Sequence, residues 1–317
     1  MRCRLATLLC MFLAGLCPAY PVLGSDYPDR PITLYTMVQP GAQIDLLARG
    51  IAKRLSAELG QPVTVRNAPG GSHGSVMAAE LSRAAPDGYT LGIAATTAYT
   101  YAPHHVQTAY SFDDFAYISL VALNSSGYVA RADRPWKTLK DAFDSARKEN
   151  KALIYNFHGT DDRDAMQRIA KAEGVRISLM PSKGGPSVIQ AVTGGHADIG
   201  YLGAILFDHV KAGRLKLLAS ALSQRLPPIP GVPTLQEQGW DETVEMYVMM
   251  VAPKGIPADR MAKLEKFTAK LAADKETQTF ITEKLLMLPV KWGRPHAETY
   301  MKAAHERFGK QARAGAR

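Results

Sequence analysis

The feature that most restricts the fold of this chain is a recurring order of strand, tight turn and amphipathic helix. Ile32-Thr33-Leu34-Tyr35 reads as a strand, Pro40-Gly41 as a turn, and Ile44 to Leu59 as a helix. Within that helix Ile44, Leu47, Ala48, Ile51, Leu55 and Leu59 recur at helical spacing, which gives it one apolar face. Val63-Thr64-Val65 is the next strand. The Gly-rich loop Ala68 to Gly74, a helix over Ser75 to Ala84, the turn Pro86-Asp87-Gly88 and a strand at Leu91-Gly92-Ile93 come after it. Alternating β and α units imply parallel sheets covered by helices on both faces.

The pattern changes after Ala122. Ile118 to Val121 and Tyr128 to Arg131 read as strands around the polar stretch Asn124-Ser125-Ser126-Gly127, which suits a crossing between lobes. A second series then begins, with strands at Leu153 to Tyr155, Ile177 to Met180, Ile199 to Leu202 and Leu215 to Ala219. Helices are expected over Leu139 to Lys148, Asp162 to Glu173, Ser187 to Thr193 and Ile205 to Lys211. The proline-dense segment Pro227 to Pro233 reads as the return linker, before a strand at Met246 to Val251 and the C-terminal helices. Two crossings between two α/β halves describe a hinged, discontinuous pair. The expected division is a signal peptide over 1–25, a first lobe over 26–124 plus 232–317, and a second lobe over 125–231. A single larger α/β domain is the alternative.

Arg2 and Arg4 supply a basic start, Leu5 to Leu16 an apolar run, and Val22-Leu23-Gly24 a small-residue cleavage region. A mature start near Ser25 or Asp26, export to the periplasm and a soluble mature protein are therefore expected. Cys3, Cys10 and Cys17 all lie in this leader, so the remainder has no disulfide and no thiolate metal site. Leu16 ahead of Cys17 is a poor fit to lipoprotein processing. Roughly 290 residues are enough to build a core without such staples. The chain carries a formal charge of +9, but its basic residues are scattered, and nucleic acid is not an expected partner.

Four connections are richer in glycine than simple turns require: Pro40-Gly41-Ala42-Gln43, Pro69 to Gly74, His158-Gly159-Thr160 and Lys183-Gly184-Gly185-Pro186. Most lead into expected helices, whose first turns carry unpaired N–H groups and partial positive charge. In open α/β sheets ligands sit beyond the carboxyl ends of the strands. Caps and tight turns are the structural alternative for each loop. No dinucleotide or phosphate-binding glycine motif and no nucleophile elbow is present, and Gly71-Ser72-His73-Gly74 has the wrong spacing for one. No two histidines stand at metal-ligand spacing, so no metal, cofactor or catalytic residue is expected. Asp161-Asp162-Arg163-Asp164 reads as acidic capping of a helix start.

Several segments, in order, resemble the Bug family, the substrate-binding proteins of tripartite tricarboxylate transporters. They are Tyr27-Pro28-Asp29-Arg30-Pro31-Ile32, Asn67-Ala68-Pro69-Gly70-Gly71, Ala85-Pro86-Asp87-Gly88-Tyr89-Thr90-Leu91, Lys183-Gly184-Gly185-Pro186, Gly194-Gly195-His196-Ala197-Asp198, Pro230-Gly231-Val232-Pro233-Thr234 and Ala252-Pro253-Lys254-Gly255-Ile256-Pro257. The resemblance implies an α/β, two-lobed periplasmic binding protein of the Venus-flytrap kind (type II-like). Its mixed sheets are flanked by helices and its ligand cleft lies between the lobes.

It also implies a small organic ligand: an organic acid, amino acid, amide or aromatic acid. The expected protein partners are membrane transporter subunits or a sensor domain, and a monomer that does not catalyse is expected. A ligand-sensing receptor and, more distantly, a secreted hydrolase are the alternatives. The implied contacts are Gly41, Ala42, Gln43 and Asp45, with Ser72, Thr96 and Thr97, on the first lobe. On the second they are His158, Gly159, Thr160, Lys183, Gly184, Gly185, Tyr201 and Leu202.

The chain departs from the family pattern at Ala42-Gln43-Ile44, where glycines and a hydroxyl are usual. It departs again at Asp161-Asp162, where neutral residues are usual, and at Leu202, commonly polar. These departures point away from citrate and towards an amide, an amine-bearing zwitterion or an aromatic acid.

Overall fold

The computed structural model describes residues 27–315, so the expected leader, its cysteines and the cleavage region lie outside the described residues. The first lobe runs β1 (Ile32–Thr36), α1 (Gln43–Leu59), β2 (Val63–Asn67), α2 (Ser75–Ser82), β3 (Thr90–Ala95), α3 (Thr97–Thr100), α4 (Ala102–His105) and β4 (Phe115–Leu123). The second runs β5 (Ser126–Arg131), α5 (Leu139–Glu149), β6 (Leu153–Phe157), α6 (Thr160–Glu173), β7 (Ile177–Pro181), α7 (Gly185–Thr193), β8 (Ile199–Gly203), α8 (Leu206–Lys211) and β9 (Leu215–Ser220). The chain then returns through β10 (Tyr247–Pro253), α9 (Ala258–Ala273), α10 (Lys275–Thr279) and α11 (Arg294–Gly315).

Each lobe holds one five-stranded sheet, in the orders β2-β1-β3-β10-β4 and β7-β6-β8-β5-β9. In each, four strands run one way and one runs against them. The exceptions are β10, antiparallel to β3 and β4, and β5, antiparallel to β8 and β9. These are the two strands by which the chain enters a lobe from the other one. Since β4 ends only two residues before β5 begins, the carboxyl ends of the parallel strands must point at the junction. The return segment reaches the same junction: Val244 donates its N–H to Ala221 O, just beyond β9, at 2.7 Å, and β10 begins three residues later. Both sheets therefore present their carboxyl ends, and the loops beyond them, to one interlobe cleft.

Helices cover both faces of each sheet, as the alternation required. The apolar face of α1 packs Leu47, Ala48, Ile51 and Leu55 against Ile32 and Leu34 of β1. The opposite face of that sheet is covered from α2, α3 and α11, through Met77, Leu81, Tyr99 and Met301. In the second lobe α5 and α6 cover one face with Phe143, Met166 and Ile169, while α7 and α8 cover the other with Val188, Val192 and Leu206. Among the described residues no helix is long and apolar enough to cross a membrane.

The crossings form a small hydrogen-bonded junction. Asn124 donates its N–H to Met246 O at 3.0 Å, and Leu123 and Leu288 exchange backbone bonds at 3.0 and 2.8 Å. Ser125 Oγ donates to Leu286 O at 2.6 Å. A segment far along the chain thus backs the strands that cross, and within it Leu286 adopts the left-handed region at φ 52.

The return crossing lies later than the expected boundary at 231/232. Thr234 bridges to Ser220, and Leu235, Trp240 and Val244 are buried in the second-lobe core. The chain leaves only at Glu245-Met246, because the apolar side chains after the proline-rich turn still have the second sheet to cover.

Gly200 in β8 marks the closest approach of α7. A Cβ there would lie 2.5 Å from Val188 Cγ1 and 2.8 Å from Val192 Cγ2. Gly200→Val should destabilise the protein by about 1–3 kcal/mol through overpacking, measured by thermal unfolding. Gly231→Ala, where a Cβ meets nothing within 4 Å, should be neutral by comparison.

Candidate functional site

The loops after β1, β2 and β3 of the first lobe face those after β6 and β7 of the second. In the first loop Gly41 takes a left-handed conformation (φ 84) and donates its N–H to Asp45 Oδ2 at 2.8 Å. Asp45 also accepts from Arg49 Nε at 2.9 Å and Asn67 Nδ2 at 2.8 Å, and its residue is fully buried. Burial pushes this carboxyl up, but the hydrogen bonds from Arg49, Gly41 and Asn67 outweigh it and hold the group below its ordinary range.

Asp45, one of the expected ligand contacts, is here the post that fixes the loop. The amide of Gln43, another, donates to Leu285 O of the first lobe's own backbone. The N–H of Ala42 is bonded to Gln39 O at 3.2 Å. No side chain caps α1.

Thr96 and Thr97 sit at the carboxyl end of β3, both buried. Thr96 N–H is held by Tyr247 O at 2.8 Å. The hydroxyls of Thr97 and of Thr36, at the carboxyl end of β1, are buried without a hydrogen-bond partner. Ser72 opens the short turn ahead of α2 and is part-exposed. Its neighbour His73 stands in the left-handed region at φ 52 and reaches across the cleft.

On the second lobe His158 and Gly159 donate their N–H groups to Asp162, at 3.1 and 2.5 Å, and Tyr155 donates its hydroxyl to the same carboxylate. These are the backbone donors that glycine at this loop could have offered an anion. Asp162 is fully buried. Burial, and after it the charge of Asp161, pushes its carboxyl up to about 7, against the pull of those three hydrogen bonds. Lys183 is exposed, with its N–H on Ser187 Oγ at 2.9 Å. Gly184 precedes α7 at φ 121, and Gly185 begins that helix.

Tyr201 and Leu202, successive residues of β8, point to opposite faces. Tyr201 meets Tyr128 edge-on in the second-lobe core, with centroids 5.6 Å apart. Leu202 is buried in the cluster around α7 and α8 and lies beside Gly185. The Leu202 side chain is enclosed by the lobe's own apolar groups and serves packing.

Direct side-chain contacts join the lobes across the cleft. His73 Nε2 and Thr160 Oγ1 are 3.1 Å apart, and Tyr101 donates its hydroxyl to Asp164 Oδ2 at 3.1 Å. The Tyr101 ring stacks on His105 at 3.8 Å and tilts against His73 at 4.8 Å. Tyr101 was not singled out from the sequence, and Asp164 only as one of the acids at a helix start. They lie 63 residues apart, and only the crossing of the chain brings them together. Beside these contacts an interlobe groove of ≈ 1010 Å³ is lined by Tyr101, His105, Asp161, Asp164, Glu242 and Phe308, among others.

The sequence model of the tripartite tricarboxylate transporter family receptor matches residues 47–313. The "UPF0065 protein in gbd 5'region" of Cupriavidus necator is 34% identical over 265 residues, covering 79% of this chain and 80% of that one. BugT of Bordetella pertussis is 30% identical over 261 residues, with 80% and 79% covered. A solved periplasmic transporter superposes with a TM-score of 0.75 at 25% identity, over 90% of this chain and 97% of its own. MatC from Rhodopseudomonas palustris, solved with bound malate, gives 0.73 at 23% identity over 90% and 100%. An R. palustris protein solved with adipate gives 0.76 at 22% identity over 91% and 98%.

The raised carboxyl of Asp162 sets a pH dependence. The unfolded chain gives up this proton near pH ~4 whereas the folded one keeps it to about 7, so stability falls as pH rises through that window. Asp162→Asn, which cannot ionise, should flatten the decline between those values, measured by urea unfolding at a series of pH. Parallel curves for the two proteins would show that the carboxyl ionises normally.

Proposed function

The chain belongs to the tripartite tricarboxylate transporter family of receptors, and on that premise we propose that it is a periplasmic solute receptor closing over one small organic molecule. The observation that carries the reading is the convergence of both sheets' carboxyl ends on one cleft, with the facing loops meeting through His73 and Thr160. A molecule held by both lobes favours the closed arrangement by its differential affinity for closed over open states, and by nothing else. The hinge of two adjacent crossings permits that motion with little change inside either lobe.

The proposed contacts are the loop from Gly41 to Gln43, Ser72 and Thr97 on the first lobe, with His158 to Thr160 and Lys183 to Gly185 on the second. The start of α1, which no side chain caps, is the favourable place for a ligand carboxylate, since the first-turn N–H groups carry partial positive charge. Proteins of the same fold solved with malate and adipate support an organic acid as the general class. In this reading the protein binds and releases its ligand unchanged, handing it to membrane subunits of a transporter.

A thermal-shift screen of mono-, di- and tricarboxylates, amino acids, amides and aromatic acids tests it. A ligand-dependent rise in melting temperature, with a smaller radius of gyration in solution scattering, is expected. Chemical conversion of the bound compound would contradict it. Gly185→Leu should weaken that compound's binding by about tenfold or more while leaving the ligand-free melting temperature close to that of the parent, since a Cβ there lies 3.4 Å from Ile205 Cγ2, at ordinary contact distance. Equal losses of affinity and stability would make Gly185 a packing residue only.

A further inference from the structure

Tyr101 stands where α3 gives way to α4, and the first lobe fixes its ring before it meets the second. The ring stacks on His105 at 3.8 Å, lies edge-on to Phe308 of α11 at 5.1 Å and tilts against His73 at 4.8 Å. Packed on these sides and buried, the side chain has little rotational freedom left to lose, so its hydroxyl is aimed in advance.

The acceptor on the second lobe is equally prepared. Asp164 lies in the second turn of α6, and Arg163 holds its Oδ1 at 2.7 Å, which leaves Oδ2 to accept from Tyr101 at 3.1 Å.

The two partners occupy corresponding places. Tyr101 is four residues beyond Thr97 and donates its N–H to Thr97 O at 3.1 Å, one helical turn on. Asp164 is four residues beyond Thr160 along α6. Residues four apart share a helix face. The bond therefore lies one turn outside the loops proposed to meet the ligand, beside the second interlobe contact of His73 with Thr160. It consists of protein groups alone, so it forms whichever molecule the cleft takes. When the lobes part, water replaces each partner, and the bond counts only in the closed arrangement.

We infer that Tyr101 and Asp164 form a latch that sets the open–closed balance, and with it the affinity for every ligand, without touching any of them. This rests on the receptor reading. A contact within one lobe adds to folding stability and leaves that balance alone, whereas a contact between lobes adds to closure. A ligand that grips both lobes gains from whatever already favours the closed state. The gain is the same factor for all ligands, and discrimination, being a difference between affinities, is unchanged.

The test is solution scattering of the full chain with no compound added, followed by calorimetric titration of the compounds that the thermal-shift screen selects. Tyr101→Phe deletes only the hydroxyl and keeps the ring packing. It should enlarge the radius of gyration before any compound is added, and weaken every selected compound by one common factor, about three- to tenfold, the worth of one hydrogen bond. Asp164→Ala, at a part-exposed position where folding is less at stake, should act in the same direction. The double variant should lose no more than the worse single one, since both remove the same bond. Unchanged compactness in both single variants overturns the latch and leaves the receptor reading standing. Losses that differ from compound to compound also overturn it, and make Tyr101 a ligand contact. If no compound binds, the receptor reading falls, and the scattering by itself still decides whether the latch holds the lobes together.

Discussion

Chain direction at the two crossings is the constraint on which the rest depends. A polypeptide that leaves one parallel sheet at its carboxyl edge enters the next at the corresponding edge, so its first strand there must run against the others. β5 and β10 are those strands. One consequence is that every loop after a parallel strand, in both lobes, faces the same space. A second is that the two crossings lie side by side at the base of that space, next to those loops.

The acids within this cleft show how a glycine-rich loop can be committed before any ligand arrives. Asp45 and Asp162 stand near the starts of equivalent helices, and each takes up N–H groups of the preceding loop. Their balance differs. Asp45 has Arg49 beside it and remains readily ionised, whereas Asp162 has only dipoles and a second acid, and its proton is held more tightly. Similar local geometry thus produces an ionised, paired carboxylate on one side and a carboxyl that keeps its proton on the other.

Most of the architecture was legible because it rests on local signals. The apolar period of α1 gave most of its buried face, missing Asp45 and Ala52 and including the half-buried Leu59, and the turn at Pro86-Asp87-Gly88 separated α2 from β3. The family resemblance, carried by short ordered segments, agrees with the matched family and the superposed folds. What escaped the sequence were relations between distant side chains. Periodicity says nothing of Tyr101 meeting Asp164, nor of the Gln43 amide being taken by Leu285. The return crossing was placed too early because proline density marks a bend, while the apolar residues beyond it decide which core the chain still serves. Asp162 was correctly read as a cap, but its burial and its hold on both loop amides needed coordinates.

Leu286 carries a cost that arises from backing a hinge with a remote segment. A branched side chain in the left-handed region costs of order 1–3 kcal/mol, and here that conformation is fastened by Ser125 on one side and by the Leu123–Leu288 pair on the other. The junction therefore stores backbone strain in a segment remote in sequence from every loop that faces the cleft, so changes in the C-terminal region can alter the crossings while those loops stay the same.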